Sequence, residues 1–274
     1  MATEAFWICS TCAVEHAAKV EVCAICEDER QWVPAAGQQW TTLDELTAGG
    51  YRAEMIELEP DLYGITSTPD AGIGQEAKLV RTPEGNLLWD PIGYVDAEIA
   101  EQVLALGDVR AIVASHPHMF GVQVEWSRLL NDAPVLVAEA DAEWIARPSD
   151  VIELWSDDLE ILPGVLLSQT GGHFPGSAVV HWATGADGRG VVLAGDTIAP
   201  NPDRKSMTFM RSFPNRIPMS AAVVRKVADH VGQYEFERLY GNFDNVIDTD
   251  ARAVMLRSAD RYIAWVNGDF DHLT

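Results

Sequence analysis

The sequence has few basic residues and no long apolar run. Its 274 residues include 19 Lys and Arg against 42 Asp and Glu, a formal net charge of -23. Such an acidic chain repels nucleic acid and anionic membrane surfaces, so we expect neither as a partner. No apolar run approaches the ~20 residues that span a bilayer. The first residues, MATEAFWICS, lack the basic and apolar regions of a signal peptide, and we therefore expect a cytoplasmic protein.

Cysteine is also scarce, and all of it lies near the start of the chain. Cys9 and Cys12 form one C-x2-C knuckle, and Cys23 and Cys26 form a second. A reducing cytoplasm disfavours disulfides. A redox pair is an alternative, but two close knuckles are typical of four thiolates around one tetrahedral ion. Zinc is the first choice and iron in a rubredoxin-like centre is the alternative. Four protein ligands close the shell, which indicates a structural site.

These cysteines predict a small N-terminal zinc ribbon over residues 1–36, which ends near the sequence PAAG at 34–37. So short a segment has too little core to fold alone, so the metal would hold it together. The remaining residues, 37–274, are enough for one larger domain. The pattern leaves open whether the ribbon packs on its own chain, covers the edge that carries the active site, or mediates a homodimer.

Strands and helices alternate through this larger domain, which predicts an α/β protein with layered sheets and helices. Thr42–Glu45 is a capping box that predicts a short helix, closed by Gly49 and Gly50. AKLVRT and NLLWD flank a turn at 83–85 and predict a hairpin. Apolar runs predict strands at 109–115, 134–138, 164–170, 177–182 and 190–195, and helices are predicted at 95–106, 140–146, 218–231 and 249–266.

Four polar residues follow predicted strands at small-residue turns. His116 and His118 follow VRAIVAS, His173 lies in TGGHFPGS, and Asp196 lies in LAGDTI. Loops at strand ends are where rigid scaffolds display functional groups. Alternate residues of an extended chain point the same way, so His116 and His118 can share a face. Three neutral imidazoles with a carboxylate are typical of a zinc or iron site.

Each histidine taken alone is more often an ordinary core or surface residue than a metal ligand. His181 alternates within a predicted strand, and we expect it to be structural. His230 lies near a helix end, where it can suit the helix dipole. His16 and His272 carry no signal. The prediction of a metal site therefore depends on the combination of His116, His118 and His173 with Asp196.

That combination resembles the metallo-β-lactamase superfamily over roughly residues 50–245. WDPIGY (89–94) stands at the family's Asp-containing turn, SHPH at the start of its H-x-H-x-D-H motif, GGHFPGS at G-H-T-x-G-S and LAGDTI at its G-D motif. The resemblance implies an αββα sandwich with a metal site at one edge between the sheets. It also implies hydrolysis of an ester, thioester, lactone, amide or phosphodiester.

The departures from the family's pattern predict a single metal ion at this site. By resemblance, His116, His118 and His173 bind the first metal, and Asp196 matches the carboxylate that bridges two metals. The family's ligands to the second metal fall at Phe120, Gly121 and Asn242. Neither Phe nor Gly offers a side-chain donor, and an amide is a poor transition-metal ligand. We expect one ion, with Phe120 walling off the vacated space.

We therefore expect a hydrolase in which one metal activates water against a small carbonyl substrate, with Asp196 as the catalytic residue. Asp196 either holds that water and moves its proton or completes the metal shell, and the sequence leaves both open.

Glu125 either replaces the missing carboxylate or is a solvated helix residue. The segment 206–220, rich in Met, Phe and Pro, is either a substrate wall or core.

Two other functions stay open. Some superfamily members are mononuclear-iron sulfur dioxygenases, and two imidazoles with one carboxylate suit Fe(II). The ribbon would then be an electron carrier, although a third imidazole crowds such a site. Alternatively, the chain is a metal-binding protein that kept the fold without catalysis, with the ribbon as an interaction module.

Overall fold

The computed structural model describes residues 6–274, so the first five residues of the segment that argues against a signal peptide lie outside the described residues. Among the described residues, no helix has the length and apolar character needed to cross a membrane. The chain divides into two compact units, Met1–Trp155 and Ser156–Thr274.

The first unit begins with a cysteine module, which we define as residues 6–41. Its sheet has the order β2-β1-β3, and its elements are β1 (Trp7–Cys9), β2 (Glu15–His16), helix α1 (Ala24–Glu27) and β3 (Trp40–Thr41). Ile8, Val14 and Ile25 are buried in the same hydrophobic core as the unit's large sheet. Within the first unit, the module therefore packs on its own chain. The domain division predicted at residue 36 stays a prediction, although β3 pairs with β1 beyond it.

The large sheet of the first unit has seven strands in the order β10-β9-β8-β7-β6-β5-β4. They are β4 (Arg52–Glu59), β5 (Leu62–Thr68), β6 (Ala77–Thr82), β7 (Gly85–Trp89), β8 (Val109–Val113), β9 (Val135–Ala138) and β10 (Ile152–Trp155). The first four strands pair antiparallel, and β7 to β10 pair parallel. The predicted hairpin is confirmed, with Thr82 opposite Gly85. Strand β8 ends at Val113, and the two histidines follow shortly after this strand end.

The helices of the first unit confirm most of the sequence signals. They are α2 (Leu43–Ala48), α3 (Ala97–Ala105) and α4 (Gln123–Leu129). Thr42 caps α2 by accepting a hydrogen bond from the backbone N–H of Glu45. Asp96 caps α3, so this helix begins slightly later than predicted, because the cap must stay outside the helix. The predicted helix at 140–146 is a 3-10 turn, Glu139–Trp144, and a second 3-10 turn covers Pro117–Met119.

The second unit contains a six-stranded sheet and two small hairpins. Its strands are β11 (Asp158–Leu162), β12 (Val165–Gln169), β13 (Ala178–Trp182), β14 (Val191–Leu193), β15 (Ala199–Pro200), β16 (Met207–Thr208), β17 (Met210–Ser212), β18 (Ile217–Pro218), β19 (Arg238–Tyr240) and β20 (Val246–Ile247). The sheet order is β11-β12-β13-β14-β19-β20, and β14 pairs parallel with β19. β15 pairs with β16, and β17 pairs with β18.

Helices cover this second sheet through one apolar core. They are α5 (Gly185–Gly188), α6 (Ala221–Val231) and α7 (Ala251–Val266), and a 3-10 turn covers Asp271–Leu273. Val224 and Val227 on α6 belong to the same buried cluster as Val192 and Leu239 on the sheet. The helices predicted at 218–231 and 249–266 are confirmed apart from their first residues. Each unit pairs a mixed sheet with helices, as the predicted α/β class requires.

Candidate metal centres

The four cysteines of the module form one compact cluster. Their sulfur atoms all lie within 4.8 Å of one another, and all four side chains are buried. The Sγ atoms of Cys9 and Cys26 are 3.6 Å apart, and those of Cys12 and Cys23 are 3.8 Å apart. Four Zn–S bonds of ~2.3 Å require sulfur atoms ~3.8 Å apart at the edges of a tetrahedron. The sulfur atoms therefore fit one tetrahedral metal ion.

The four thiols shift one another's pKa values in opposite directions. Hydrogen bonding by Cys12 lowers the pKa of Cys9 to about 6 and also lowers the pKa of Cys23, whereas hydrogen bonding by Cys23 raises the pKa of Cys12, and the pKa of Cys26 is raised although Cys12 opposes that shift. Gln38 donates from Nε2 to Cys9 Sγ at 3.1 Å, and its Oε1 accepts from the Cys23 backbone N–H at 3.1 Å. His16 Nε2 lies 3.4 Å from Cys23 Sγ. The sequence carried no signal for His16, since only the pairing of β1 and β2 brings it to the cluster.

His116 and His118 form an imidazole pair in the first unit, in the segment that we call the histidine loop (residues 114–124). Both residues are 1% exposed. Their ring centroids are 5.0 Å apart, and their ligand nitrogens lie within 4.8 Å of each other. The Ser115 hydroxyl lies 2.9 Å from His116 Nδ1. If Nδ1 carries the proton and donates it to Ser115, Nε2 is the nitrogen with a lone pair for a metal.

Asp90 anchors the start of the histidine loop. Its backbone N–H donates to Val113 at 2.8 Å, and its Oδ1 accepts from the Ser115 backbone N–H at 2.5 Å. Asp90 has a φ of +55° and is fully buried. This left-handed conformation costs free energy for residues other than glycine, although Asp and Asn tolerate it best. The turn WDPIGY, which the resemblance placed at a family motif, therefore holds the residue directly before His116.

The second unit contributes His173 and Asp196. His173 follows β12, and Asp196 follows β14 through Gly195, whose φ is +54°. His173 Nδ1 lies 2.8 Å from the Met210 carbonyl oxygen, to which it donates. The lone pair of a neutral His173 is then on Nε2. The ligand atoms of His173 and Asp196 lie within 4.8 Å of each other. Each unit thus offers one pair of side chains with donor atoms close enough to share an ion.

Asn242 follows the strand next to the one that carries Asp196. Leu193 of β14 lies opposite Tyr240 of β19 in a parallel pair, so Asp196 and Asn242 both follow the carboxyl ends of neighbouring strands. Asn242 is 2% exposed, and its Nδ2 has no hydrogen-bond partner in residues 6–274. The hydroxyl of Thr197, beside Asp196, is also buried without a partner in the described chain. A buried polar atom without a partner costs free energy, so both groups are candidates for binding a ligand or water.

The backbone at Gly121 leaves no room for a side chain. Gly121 has a φ of +51°. A Cβ there would lie 2.3 Å from the Pro91 carbonyl oxygen and 2.8 Å from that of Ile92. The position at which the family has a second-metal histidine thus accepts only glycine in this backbone. Phe120 is buried in the hydrophobic core of the first unit, and the prediction that it walls off a vacated metal space stays a prediction.

The structure bears on the alternatives left open for Glu125 and for the 206–220 segment. The Glu125 side chain is 12% exposed and pairs with Arg147 at 2.7 Å. The expectation of a solvated helix residue is therefore wrong, and the carboxylate is committed to an ion pair. In the 206–220 segment, Met207 and Phe209 belong to the core of the second unit, whereas Met210 holds His173. The substrate wall stays a prediction.

The remaining histidines lie outside both candidate centres. His181 Nε2 lies 2.9 Å from the Glu235 carbonyl oxygen, and its ring stacks on Tyr234. This contact confirms the structural role expected for His181. His230 Nε2 lies 2.7 Å from the Ser168 hydroxyl in the last turn of α6, and His272 is exposed.

Comparison with known proteins identifies the family. The metallo-beta-lactamase superfamily matches residues 76–241, more than half of the chain, and the chain belongs to this superfamily. A relative from Bacillus subtilis (strain 168), described as the uncharacterized protein YmaE, is 41% identical over 272 residues. That alignment covers 97% of this chain and 99% of the relative.

Solved structures with the same fold are much more distant in sequence. The metallo-beta-lactamase FIM-1 from Pseudomonas aeruginosa, in its mono-zinc form, is 16% identical with a TM-score of 0.56, over 76% of this chain and 95% of that one. A metallo-beta-lactamase from Hirschia baltica is 15% identical with a TM-score of 0.55, over 77% and 97% of the two chains. These matches confirm the predicted sandwich fold and the resemblance that the motifs indicated.

Proposed function

We propose that the protein is a metal-dependent hydrolase that acts on a small carbonyl substrate, namely an ester, thioester or lactone. The observation that carries this proposal is the placement of one ligand pair at strand ends in each unit, His116 with His118 and His173 with Asp196. In both His116 and His173, a local partner engages Nδ1 and leaves Nε2 as the metal-binding nitrogen. Membership of the superfamily supports the assignment.

In this proposal the two pairs bind one ion, with His116, His118 and His173 as ligands. Zinc suits three imidazoles and an open fourth position, and iron is the alternative. The absence of space for a side chain at Gly121 supports a single ion. A solved relative of the same fold is described in a mono-zinc form, so one ion is compatible with the scaffold. A bound ion would polarise the substrate carbonyl and lower the pKa of a water molecule towards ~7.

The protein's own groups would then manage the proton and the carbonyl oxygen. Asp196 is 8% exposed, so its carboxylate retains limited access to solvent. We assign it to orient the attacking water and to take its proton. Asn242, whose buried Nδ2 has no hydrogen-bond partner in the described chain, follows the strand next to that of Asp196. We assign this amide to donate a hydrogen bond to the carbonyl oxygen as negative charge develops there, the task that a second metal would otherwise perform.

Metal content and turnover together test the proposal. We would measure zinc and iron per chain by elemental analysis in the wild type, in the double variant His116→Ala with His118→Ala, and in His272→Ala as an exposed control. Two zinc ions per chain should fall to one in the double variant only. The wild type should hydrolyse esters such as p-nitrophenyl acetate, or members of a thioester and lactone panel, and the double variant should not.

Other results would favour the remaining functions. Iron lost specifically from the double variant would support the oxidoreductase, and zinc binding without turnover of any panel member would support a non-catalytic protein. A metal content that the double variant leaves unchanged would refute the proposed centre.

A further inference from the structure

Glu15 joins the cysteine module to the histidine loop. Its side chain is 3% exposed. The Glu15 backbone N–H donates to the Gly121 carbonyl at 3.0 Å, and Glu15 Oε1 accepts from the Val124 backbone N–H at 2.6 Å. Gly121 and Val124 of the histidine loop are therefore both bonded to one residue, which lies shortly after the first cysteine knuckle.

Arg147 strengthens this connection from another segment. Its guanidinium pairs with Glu15 Oε2 at 2.6 Å and with Glu125 Oε1 at 2.7 Å, and its own side chain is 9% exposed. It also lies 4.0 Å from the centre of the Phe6 ring. A buried ion pair of this kind resists separation, because removing one partner leaves the other charge unpaired in the interior. Arg147 thus contacts Phe6, which precedes β1, and Glu15 of β2, and it also pairs with Glu125 in the first turn of α4.

Ala13 forms a third contact through unusually close packing. A Cβ on Gly93 would lie 2.1 Å from the Cβ of Ala13, and a Cβ on Gly72 would lie 2.5 Å from it. Only glycine permits this approach. Gly93 belongs to the turn that begins at Asp90, which itself holds Ser115. The cysteine module therefore contacts the histidine loop itself and also the turn whose first residue holds the start of that loop.

We infer that the cysteine module is a metal-dependent clamp on the histidine loop, with Glu15 as the positioning residue, so that the two metal centres are linked. This inference rests on the proposed metal centre at His116 and His118. The hairpin of β1 and β2 is too small to hold its shape without the ion bound by the four cysteines. When that ion is lost, Gly121 and Val124 lose their partners, and the imidazole pair loses the support that orients it. Linkage requires that each centre change the affinity of the other by the same factor.

The test uses the full chain and Zn²⁺ as the probe. Zinc affinity of the histidine centre is measured by dialysis against chelator-buffered zinc, with the double variant His116→Ala, His118→Ala as the reference for the cysteine centre alone. Glu15→Met removes the acceptor but keeps the bulk. Glu15→Gln restores an oxygen for Val124, and Glu21→Met makes the same change at an exposed site of the module.

We expect Glu15→Met to weaken zinc binding at the histidine centre by about fivefold or more, Glu15→Gln to recover most of it, and Glu21→Met to bind like the wild type. Hydrogen exchange should rise in residues 116–125 of Glu15→Met and stay unchanged in α6. Wild-type affinity in Glu15→Met would overturn the clamp, and so would an equal rise of exchange in α6, which marks a general loss of stability. Unchanged zinc content in the double variant would instead refute the proposed centre itself.

Discussion

The carboxylate of Asp90 accepts a hydrogen bond of 2.5 Å from the backbone N–H of Ser115. Asp90 adopts a left-handed conformation to do so, directly after the buried strand β7. Ser115 in turn lies 2.9 Å from the imidazole of His116. The left-handed turn after β7 therefore holds the backbone from which the His116 side chain projects, just beyond the end of β8.

We predict that Asp90→Asn weakens metal binding at the histidine centre by about tenfold or more, as is typical when an outer partner of a ligand is lost. Asn tolerates the same backbone, but its amide is a weaker acceptor than a carboxylate. Asp61→Asn is the matched control, because Asp61 also has a positive φ and is exposed. Zinc retention under chelator competition measures the effect. Equal retention in the two variants would show that Asp90 does not support the loop.

Gly121→Ala should destabilise the protein by about 3 kcal/mol. The left-handed conformation costs ~1–2 kcal/mol for alanine, and the clash with the Pro91 carbonyl adds a similar amount. Gly50→Ala serves as the control, because Gly50 has a φ of +86° with open space around its position. Urea unfolding of both variants isolates the contribution of the clash. A Gly121→Ala variant no less stable than Gly50→Ala would mean that a second-metal ligand could be accommodated there.

Gln38→Ala should speed the release of metal from the cysteine centre several-fold under chelator, at the scale expected for an outer partner of the ligands. Gln38 bridges Cys9 and Cys23, whereas the side chain of the neighbouring Gln39 is exposed. Gln39→Ala is therefore the control. Release is followed by the appearance of thiols that react with a chromogenic disulfide. Identical release from both variants would contradict a supporting role for Gln38.

Asn242→Leu should lower kcat/KM about 100-fold, the typical cost of one lost oxyanion donor. Its free energy of unfolding should equal or exceed that of the wild type. Leucine has a similar volume, and the change removes a buried donor without a partner in the described chain. Steady-state kinetics on the best ester, together with urea unfolding, check both effects. Asn267→Leu, at an exposed site, is the control. Loss of stability without loss of turnover would assign Asn242 to structure alone.

Stability should depend on pH through Glu15. Burial raises the pKa of Glu15 from 4.5 to about 7, although Arg147 opposes this shift and Glu125 adds to it. The folded protein therefore binds a proton more tightly than the unfolded chain, so stability from this group falls as pH rises from 4.5 to about 7. At ~1.4 kcal/mol per pKa unit, the fall amounts to roughly 3 kcal/mol.

The variant Glu15→Gln does not titrate at this position, so it isolates the contribution of Glu15. The free energy of unfolding of the wild type minus that of this variant should fall as pH rises through that window. Urea unfolding at several pH values measures it. A difference that stays constant would show that Glu15 keeps an ordinary pKa.

Local signals were sufficient for the secondary structure around the candidate centres. The helix cap at Thr42, the hairpin at 77–89 and the apolar strands before the histidines and Asp196 are each encoded by neighbouring residues, and the structure confirms them. The cysteine cluster was also predictable, since both knuckles lie within one short segment. The boundaries of helices and the 3-10 turn at Glu139–Trp144 were less predictable, because capping and packing decide them.

Long-range contacts were not predictable from the sequence. Glu15 and Arg147 are separated by 132 positions, yet they form a buried pair, and no periodicity marks either residue. The same holds for Gln38 and His16 beside the cysteines and for the Met210 carbonyl beside His173. For Glu125 the sequence left a solvated position open, because exposed glutamate is the ordinary state, and it gave no sign of the ion pair with Arg147.

The sequence by itself determined the α/β class, the superfamily, the four-cysteine module and the candidate ligands, because spacing and strand patterns are local properties of the chain. Only the tertiary structure decided which groups Nδ1 of His116 and of His173 contacts, why Gly121 admits no side chain, and what the module contacts. Those outcomes depend on how distant backbone segments pack. In the interior, a charged or polar group without a hydrogen-bond or ion-pair partner costs free energy. The local sequence does not show which distant residue will be that partner.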